Sequence, residues 1–347
     1  MTSLERCCTD SGKLSPPPAV GKRGLASPAA LWLWFPGAPA RGAPTREGRT
    51  AAVTQTTESP LLVSRLPATA FQADLPSSEF GLAMGFLVGH YFLNMQDLHY
   101  GYWPEGLPVE PRNLAQAQAH YTEFLMQHIP AGVRTILDVG CGAGNTARKL
   151  LDRGFQVDCV SPNGVLSGVA RAVLAGRATI FESRFQDVQT DRRYDLILFS
   201  ESLLFIPLEE AFARALALLN PGGHVLITDI FRVPAEGKSP IGGGHELPRF
   251  RETIARFPLV PVADEDMTDG IAPTFDVLDG AYREAIEPAY RLLLARLTLR
   301  HPWVMRVVRW KFRKSMRRYE DKHFSGRRNG ANFKKYKSYR LLLYRRA

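Results

Sequence analysis

Ten residues, Thr135-Ile-Leu-Asp-Val-Gly-Cys-Gly-Ala-Gly144, constrain this chain more than any other stretch. Apolar Ile136 and Leu137, followed by Asp138 and alternating glycines, read as a buried parallel strand that breaks into a tight turn. Asn145 then opens a helix. A Cβ at Gly140 or Gly142 would fill the space where a bound nucleoside must lie against the main chain. Unpaired N–H groups of the following helix face the same crevice. A dinucleotide fingerprint spaces its glycines as G-x-G-x-x-G. Here the third glycine comes one residue early, at Gly144, and an aspartate precedes the first by two residues.

Around this turn, strands and helices alternate. Strands are expected over 134–138, 155–160, 177–182, 194–199, 223–229, 259–265 and 338–345, the last reading SYRLLLYR. Asn113 is the expected N-cap of a helix that carries Leu114, Ala117, Tyr121, Phe124, Leu125 and Ile129 at helical spacing. The alternation predicts an α/β fold, a parallel sheet with helices on both faces. Residues 275–336 hold a mostly helical pattern between the last two strands, read equally well as a substrate cap or as padding of the sheet edge.

From about residue 85 to 347 the chain resembles the class I SAM-dependent methyltransferases, in the small-molecule branch that includes ubiquinone, tocopherol and sterol methyltransferases. The resemblance rests on the glycine turn, Ser161-Pro162, the turn Asn220-Pro-Gly-Gly-His224 and the closing SYRLLLYR strand. It implies a Rossmann-like, seven-stranded, mostly parallel sheet whose last strand inserts antiparallel beside the fifth, with a helical cap insert before it. It also implies S-adenosylmethionine (SAM) as cofactor. The expected organisation is a disordered extension over 1–78, rich in Pro, Ala, Gly, Ser and Thr, then a lid segment over 79–112 and the catalytic domain over 113–347. The apolar patch 29–36 is too short, and its leader too long, for an export signal.

The resemblance places ligand contacts at the carboxyl ends of the strands. Asp138, Gly140, Cys141, Gly142 and Gly144 form the turn under the cofactor. The family usually ends its second strand in an acid that holds the ribose; this chain has Ser161, Pro162 and Asn163 there, ranked ahead of Asp158. Phe185 or Val188 packs on the adenine, and Gln186 or Asp187 bonds its amine. Ser200 lines the pocket and Glu201 points toward the acceptor. The aromatic segment 90–103 resembles the family's N-terminal lid, with Tyr91, Tyr100 and Tyr102 closing over a sulfonium that aromatic faces attract. Methyl transfer asks mainly for in-line positioning and exclusion of water. Where a general base helps, the candidates are His99, Glu201, His245 and Asp266.

Charge is divided unevenly along the 347 residues: the net is +10, but residues 301–347 carry 16 Lys and Arg against two acids, while 76–300 carry 27 acids against 20 bases. A basic tail of this kind is drawn to anionic surfaces. The run 302–318, PWVMRVVRWKFRKSMRR, reads either as a helix for peripheral contact with an anionic membrane or as a cap helix packed on the body. Nothing beyond charge points to nucleic acid. Cys7, Cys8, Cys141 and Cys159 lack metal-ligand spacing and fit a reducing cytoplasm. The activity expected is methyl transfer to a small-molecule or lipid-like acceptor at O, N or C. The alternatives are methylene addition to a lipid, or a SAM-binding regulatory module without turnover.

Overall fold

The computed structural model describes residues 85–347 apart from 88 and 92–94; the expected disordered extension over 1–78 and the first part of the lid segment lie outside the described residues. The strands are β1 (Thr135–Val139), β2 (Gln156–Val160), β3 (Ile180–Phe181), β4 (Tyr194–Ser200), β5 (Leu219–Arg232), β6 (His245–Glu246), β7 (Leu259–Asp266) and β8 (Lys337–Arg346). They form one sheet in the order β3-β2-β1-β4-β5-β8-β7, with the two-residue β6 beside β5. Neighbours from β3 to β5 pair in parallel, and β8 runs antiparallel between β5 and β7. The sheet is the expected Rossmann-like one, with its last strand inserted antiparallel and β6 added.

The helices are α1 (Leu114–Gln127), α2 (Asn145–Asp152), α3 (Gly164–Leu174), α4 (Leu208–Leu218), α5 (Leu247–Ile254), α6 (Thr268–Ala281), α7 (Glu287–Arg300), α8 (Pro302–His323) and α9 (Gly330–Tyr336). Because side chains alternate across a strand, the apolar runs split into two cores. Leu137, Val139, Ile197, Phe199 and Ile227 meet Phe212 of α4 and Phe250 of α5 on one face. On the other, Ile136, Leu196, Leu198 and Leu226 meet Tyr121 and Leu125 of α1, Leu150 of α2 and Phe275 of α6. Each fully buried large apolar side chain contributes about 1.5–3 kcal/mol. Asn113 stands at the N-cap position of α1 but makes no side-chain cap bond; its Nδ2 donates to Pro108 O at 2.9 Å. A 3-10 turn over Pro111–Asn113 leads into the helix instead.

The insert before β8 begins at Thr268, earlier than the sequence pattern suggests, and its parts differ. α6 lies on the segment expected as a lid: Trp103 Nε1 donates to Thr274 Oγ1 at 2.9 Å, and Trp103 N donates to Gly270 O at 2.8 Å. A π-helical turn, Tyr282–Ile286, carries the chain into α7 and α8, which bury almost none of their own residues.

Candidate functional site

The carboxyl ends of β1, β4 and β5 converge where an open α/β sheet binds its ligands. After β1 the chain turns through Gly140, Gly142 and Gly144, all at positive φ (82, 54 and 82°), a region in which a Cβ is strained. The glycines serve different ends. A Cβ on Gly140 would come within 2.5 Å of the Ser202 Cβ, and one on Gly144 would lie 3.1 Å from Ala170 of α3, so these two permit close packing of the turn on its neighbours. Only at Gly142 is the nearest atom, Leu98 Cδ1 at 3.5 Å, at ordinary contact distance. The Gly140 and Cys141 amides both donate to Val160 O, which ties the turn to β2.

Three carboxyls stand at these strand ends, each held near neutrality. Asp138 of β1 is buried and its Oδ2 has no hydrogen-bond partner; burial, with Asp97 nearby and His99 partly offsetting it, pushes its pKa up to about 7. Glu201, just after β4, keeps some contact with solvent, yet the desolvation imposed by the groups packed around its carboxyl pushes it up to about 7. Its backbone sits at φ 55°, costly for a residue with a Cβ and stable only when the surroundings enforce it. Asp229 of β5 is buried, with Oδ1 accepting from Ile230 N at 2.7 Å and Oδ2 from Leu204 N at 2.9 Å. Burial and the neighbouring Glu201 charge raise it to about 8.

A chain of hydroxyls links the ends of β4 and β5 to β8. Tyr339 of β8 donates to Glu201 Oε1 at 2.8 Å, and its oxygen lies 3.0 Å from that of Tyr121. Tyr121 in turn reaches Thr228 Oγ1 at 2.7 Å and Ser200 Oγ at 2.9 Å. Tyr100 N completes the Glu201 environment at 2.8 Å. The arrangement can hold a cationic or polar ligand beside Asp138 and take a proton at Glu201, whose pKa suits a base working near neutral pH.

A family model described as a methyltransferase domain matches residues 112–257, which contain the glycine turn and all three carboxyls. A ubiquinone biosynthesis O-methyltransferase of Xanthomonas axonopodis pv. citri is 29% identical over 179 residues, 50% of this chain and 70% of the relative. The fold is that of a geranyl diphosphate C-methyltransferase from Streptomyces coelicolor A3(2), solved with Mg2+, geranyl-S-thiolodiphosphate and S-adenosyl-L-homocysteine. The TM-score is 0.55 at 15% identity, covering 79% of this chain and 100% of that one. Over residues 112–257 the chain is similar to methyltransferases, and its fold is theirs. Methyltransferase GfsG of Streptomyces halstedii is 30% identical over 143 residues, 39% of this chain and 51% of the relative. The chain spans about half the length of the first curated methyltransferases it matches.

SAM, the cofactor expected from the sequence, fits the first strand end well. A buried carboxylate oxygen lacking a donor, beside a glycine turn, suits a ligand that brings an ammonium or hydroxyl. The ribose side is less complete, since β2 ends without an available acid. Asp158 is spent on Tyr194 OH at 2.8 Å, Arg192 Nη1 at 2.7 Å and Thr179 N at 3.2 Å. Asn163, expected at the ribose, caps α3, its Oδ1 accepting from Val165 N and Leu166 N at 3.1 Å. Ser161 remains buried beside it, and Pro162 is exposed.

Several other residues expected at the ligand are engaged elsewhere in the fold. Phe185 is a core residue, edge-on to Phe199 at 5.3 Å, because an apolar side chain after β3 is drawn under α4. Gln186 donates to Glu210 Oε2 at 2.9 Å and Asp187 pairs with Arg184 at 2.7 Å, so both side chains are engaged at the surface. Tyr102 stacks on Phe124 at 5.2 Å and fills the space over Gly270, which makes it a strut between lid and α6. Tyr91 is 78% exposed.

Among the proposed bases, His99 has Nδ1 2.9 Å from Tyr100 O and Nε2 3.2 Å from Thr122 Oγ1, and it stacks on Tyr121 at 4.1 Å. His245 Nε2 donates to Leu203 O and Ile206 O, both at 3.0 Å, bracing the turn after β4. Asp266 starts α6 by accepting from Thr268 N at 2.9 Å and pairs with Arg340 at 2.9 Å; these outweigh partial burial and hold its pKa below the ordinary value. Glu201 is the one of the four whose carboxyl is joined to the hydroxyl chain and raised in pKa.

Asp229, Tyr121, Tyr339 and Ser202 escaped the sequence reading. Asp229 closes the 223–229 run that reads as a strand, and an acid at that point could have been found by treating this strand end like the others. Asp97 also escaped it: Lys149 Nζ lies 2.8 Å from its Oδ2 and His99 sits beside it, and against the cost of burial they hold its carboxyl well below the usual range.

Proposed function

We propose that the protein transfers a methyl group from SAM to a small, lipid-like acceptor at O, N or C, with Glu201 as the group that accepts the acceptor's proton. The observation that carries this reading is the set of raised carboxyls at the ends of β1, β4 and β5, of which Glu201 is bonded to a chain of hydroxyls. When bound, SAM supplies the electrophilic methyl group. Asp138 and the Gly140–Gly144 turn hold the donor, and Ser161 stands at the ribose end. Glu201, as the carboxylate that Tyr339 holds oriented by donating to Oε1, takes the acceptor's proton and becomes the neutral acid. The lid residues Tyr100 and Trp103, tied to α6 and β8, exclude water from the transfer. Buried Cys141 and Cys159 are free thiols, in keeping with work in a reducing cytoplasm.

Support for a lipid-like acceptor comes from the solved fold neighbour, a geranyl diphosphate methyltransferase, and from the ubiquinone-pathway relative. The decisive experiment is incubation with methyl-labelled SAM and a lipid and metabolite extract, followed by identification of the labelled product. A single labelled apolar metabolite is expected. Absence of any labelled product from a folded protein shown by calorimetry to bind SAM would overturn the transfer reading.

A further inference from the structure

The hairpin formed by α7 and α8 is anchored at one end and bare at the other. At its base, Tyr282 stacks on His323 at 4.7 Å, Tyr290 meets Phe324 at 5.5 Å, and Tyr290 OH lies 3.0 Å from Glu320 Oε1. Toward the tip no such aromatic packing continues among the described residues. Leu299 is 81% exposed, Trp303 74%, Trp310 78%, and Val304 and Val307 each 59%. Trp303, Val307 and Trp310 follow one another at i, i+4 and i+7, which sets them along one side of α8. The only buried residues of α8, Met305 and His323, lie on the opposite side. Apolar side chains on the outward face gain nothing from the fold, and an exposed cluster of them marks a contact surface.

The charges around this stripe name the partner. α8 carries Arg306, Arg309, Lys311, Arg313, Lys314, Arg317, Arg318 and Lys322 against Glu320 and Asp321 alone, and both acids sit at the anchored end. Arg306 lies over the Trp303 ring at 4.9 Å, so cation and aromatic share one patch. A second copy of this arm would meet it with like charge. A phosphate backbone would pair with the cations but give no return for Leu299, Val304 and Val307. An anionic phospholipid bilayer accommodates both, with aliphatic and indole groups in the interface and cations at the headgroups. No helix among the described residues is long and apolar enough to cross a membrane, which leaves the surface as the place of contact.

We propose that the α7–α8 hairpin docks the protein on anionic phospholipid bilayers, inserting its tip at Leu299, Trp303, Val307 and Trp310. This docking is independent of the methyl-transfer chemistry. The full chain is to be cosedimented with vesicles of phosphatidylcholine alone and of an equal mixture of phosphatidylcholine and phosphatidylglycerol. Binding to the anionic vesicles is expected to be at least about tenfold tighter and to weaken as salt is raised. Tryptophan emission should shift to the blue on binding. A Trp303→Ser/Trp310→Ser variant, altered only on outward-facing positions, should bind at least about tenfold more weakly while its melting temperature and SAM affinity stay as in the parent. Equal binding to both vesicle types would overturn the proposal, as would undiminished binding by the variant. So would displacement from vesicles by a lower concentration of transfer RNA, or a dimer in light scattering that the variant abolishes.

Discussion

Asp138 and Glu201 are carboxyls whose surroundings bring both near pH 7, and they answer to different partners. Asp138 must be ionised to accept from an ammonium, so SAM affinity is expected to rise between pH 6 and pH 8, with Asp138→Ala at least about tenfold weaker, or about 1.4 kcal/mol. Isothermal calorimetry across that range checks it, and a flat profile for the parent would sink the assignment. Folding responds in the opposite sense. The native pKa of Asp138 lies above its ordinary 3.8, so the stability tied to its proton is present below pH 4 and lost as pH rises through 7. For Glu201, the transfer rate should rise with pH through about 7, and Glu201→Gln should lower kcat by about 100-fold or more. Tyr339→Phe removes a bond that favours the Glu201 carboxylate, so the rising limb should move to higher pH; an unmoved limb would detach Tyr339 from the chemistry.

The buried place of Asp138 at the end of β1 could be read from sequence, because an acid set between a buried apolar run and a glycine turn has little freedom in where it sits. Tyr339 could not, since a tyrosine in an alternating strand carries no spacing signal, and it meets Glu201 only across 138 positions of chain. Phe185 shows the converse: one apolar residue after a strand looks the same whether it stacks on a base or fills a core.

Among the elements, strand positions were the most legible part of the fold, because buried apolar runs bounded by glycine or charge leave little freedom. The runs expected at 134–138 and 194–199 appear at Thr135–Val139 and Tyr194–Ser200. The short β3 and the division of the insert were not legible, since tertiary pairing and packing decide them. Helix α3 tests one consequence. If Asn163 caps it, Asn163→Ala should cost about 1 kcal/mol, visible in urea unfolding, with SAM affinity unchanged. A tenfold loss of affinity at unchanged stability would return Asn163 to the ribose. The seam between lid and α6 gives another. Gly270→Val places atoms inside the Tyr102 ring, whose Cε2 stands 2.3 Å from an added Cβ, and should cost about 1–3 kcal/mol. Calorimetric melting would show it, and an unshifted melting temperature would mean that the seam opens freely.

At the scale of the whole molecule, an acidic body and a basic arm occupy one chain, a division visible in the order of its charges. The arm's bare outer face was not visible there, because a basic amphipathic pattern is shared by helices packed on a body and helices turned away from it. The sheet carries a further consequence. β8 lies between β5 and β7, pairing Val225 with Tyr344 and Val260 with Arg345, so β7 has no strand to join until β8 is in place. During synthesis the edge of β5 stays open while the entire helical insert emerges, and the sheet closes late across a long loop. The same strand carries Tyr339 to Glu201. The hydroxyl chain at Glu201 is therefore completed by the folding step that seals the sheet, and a chain stalled before β8 lacks both. In refolding from urea, cofactor binding should return with the slowest phase rather than with the early gain of helix; binding that precedes sheet closure would show that the two are separable.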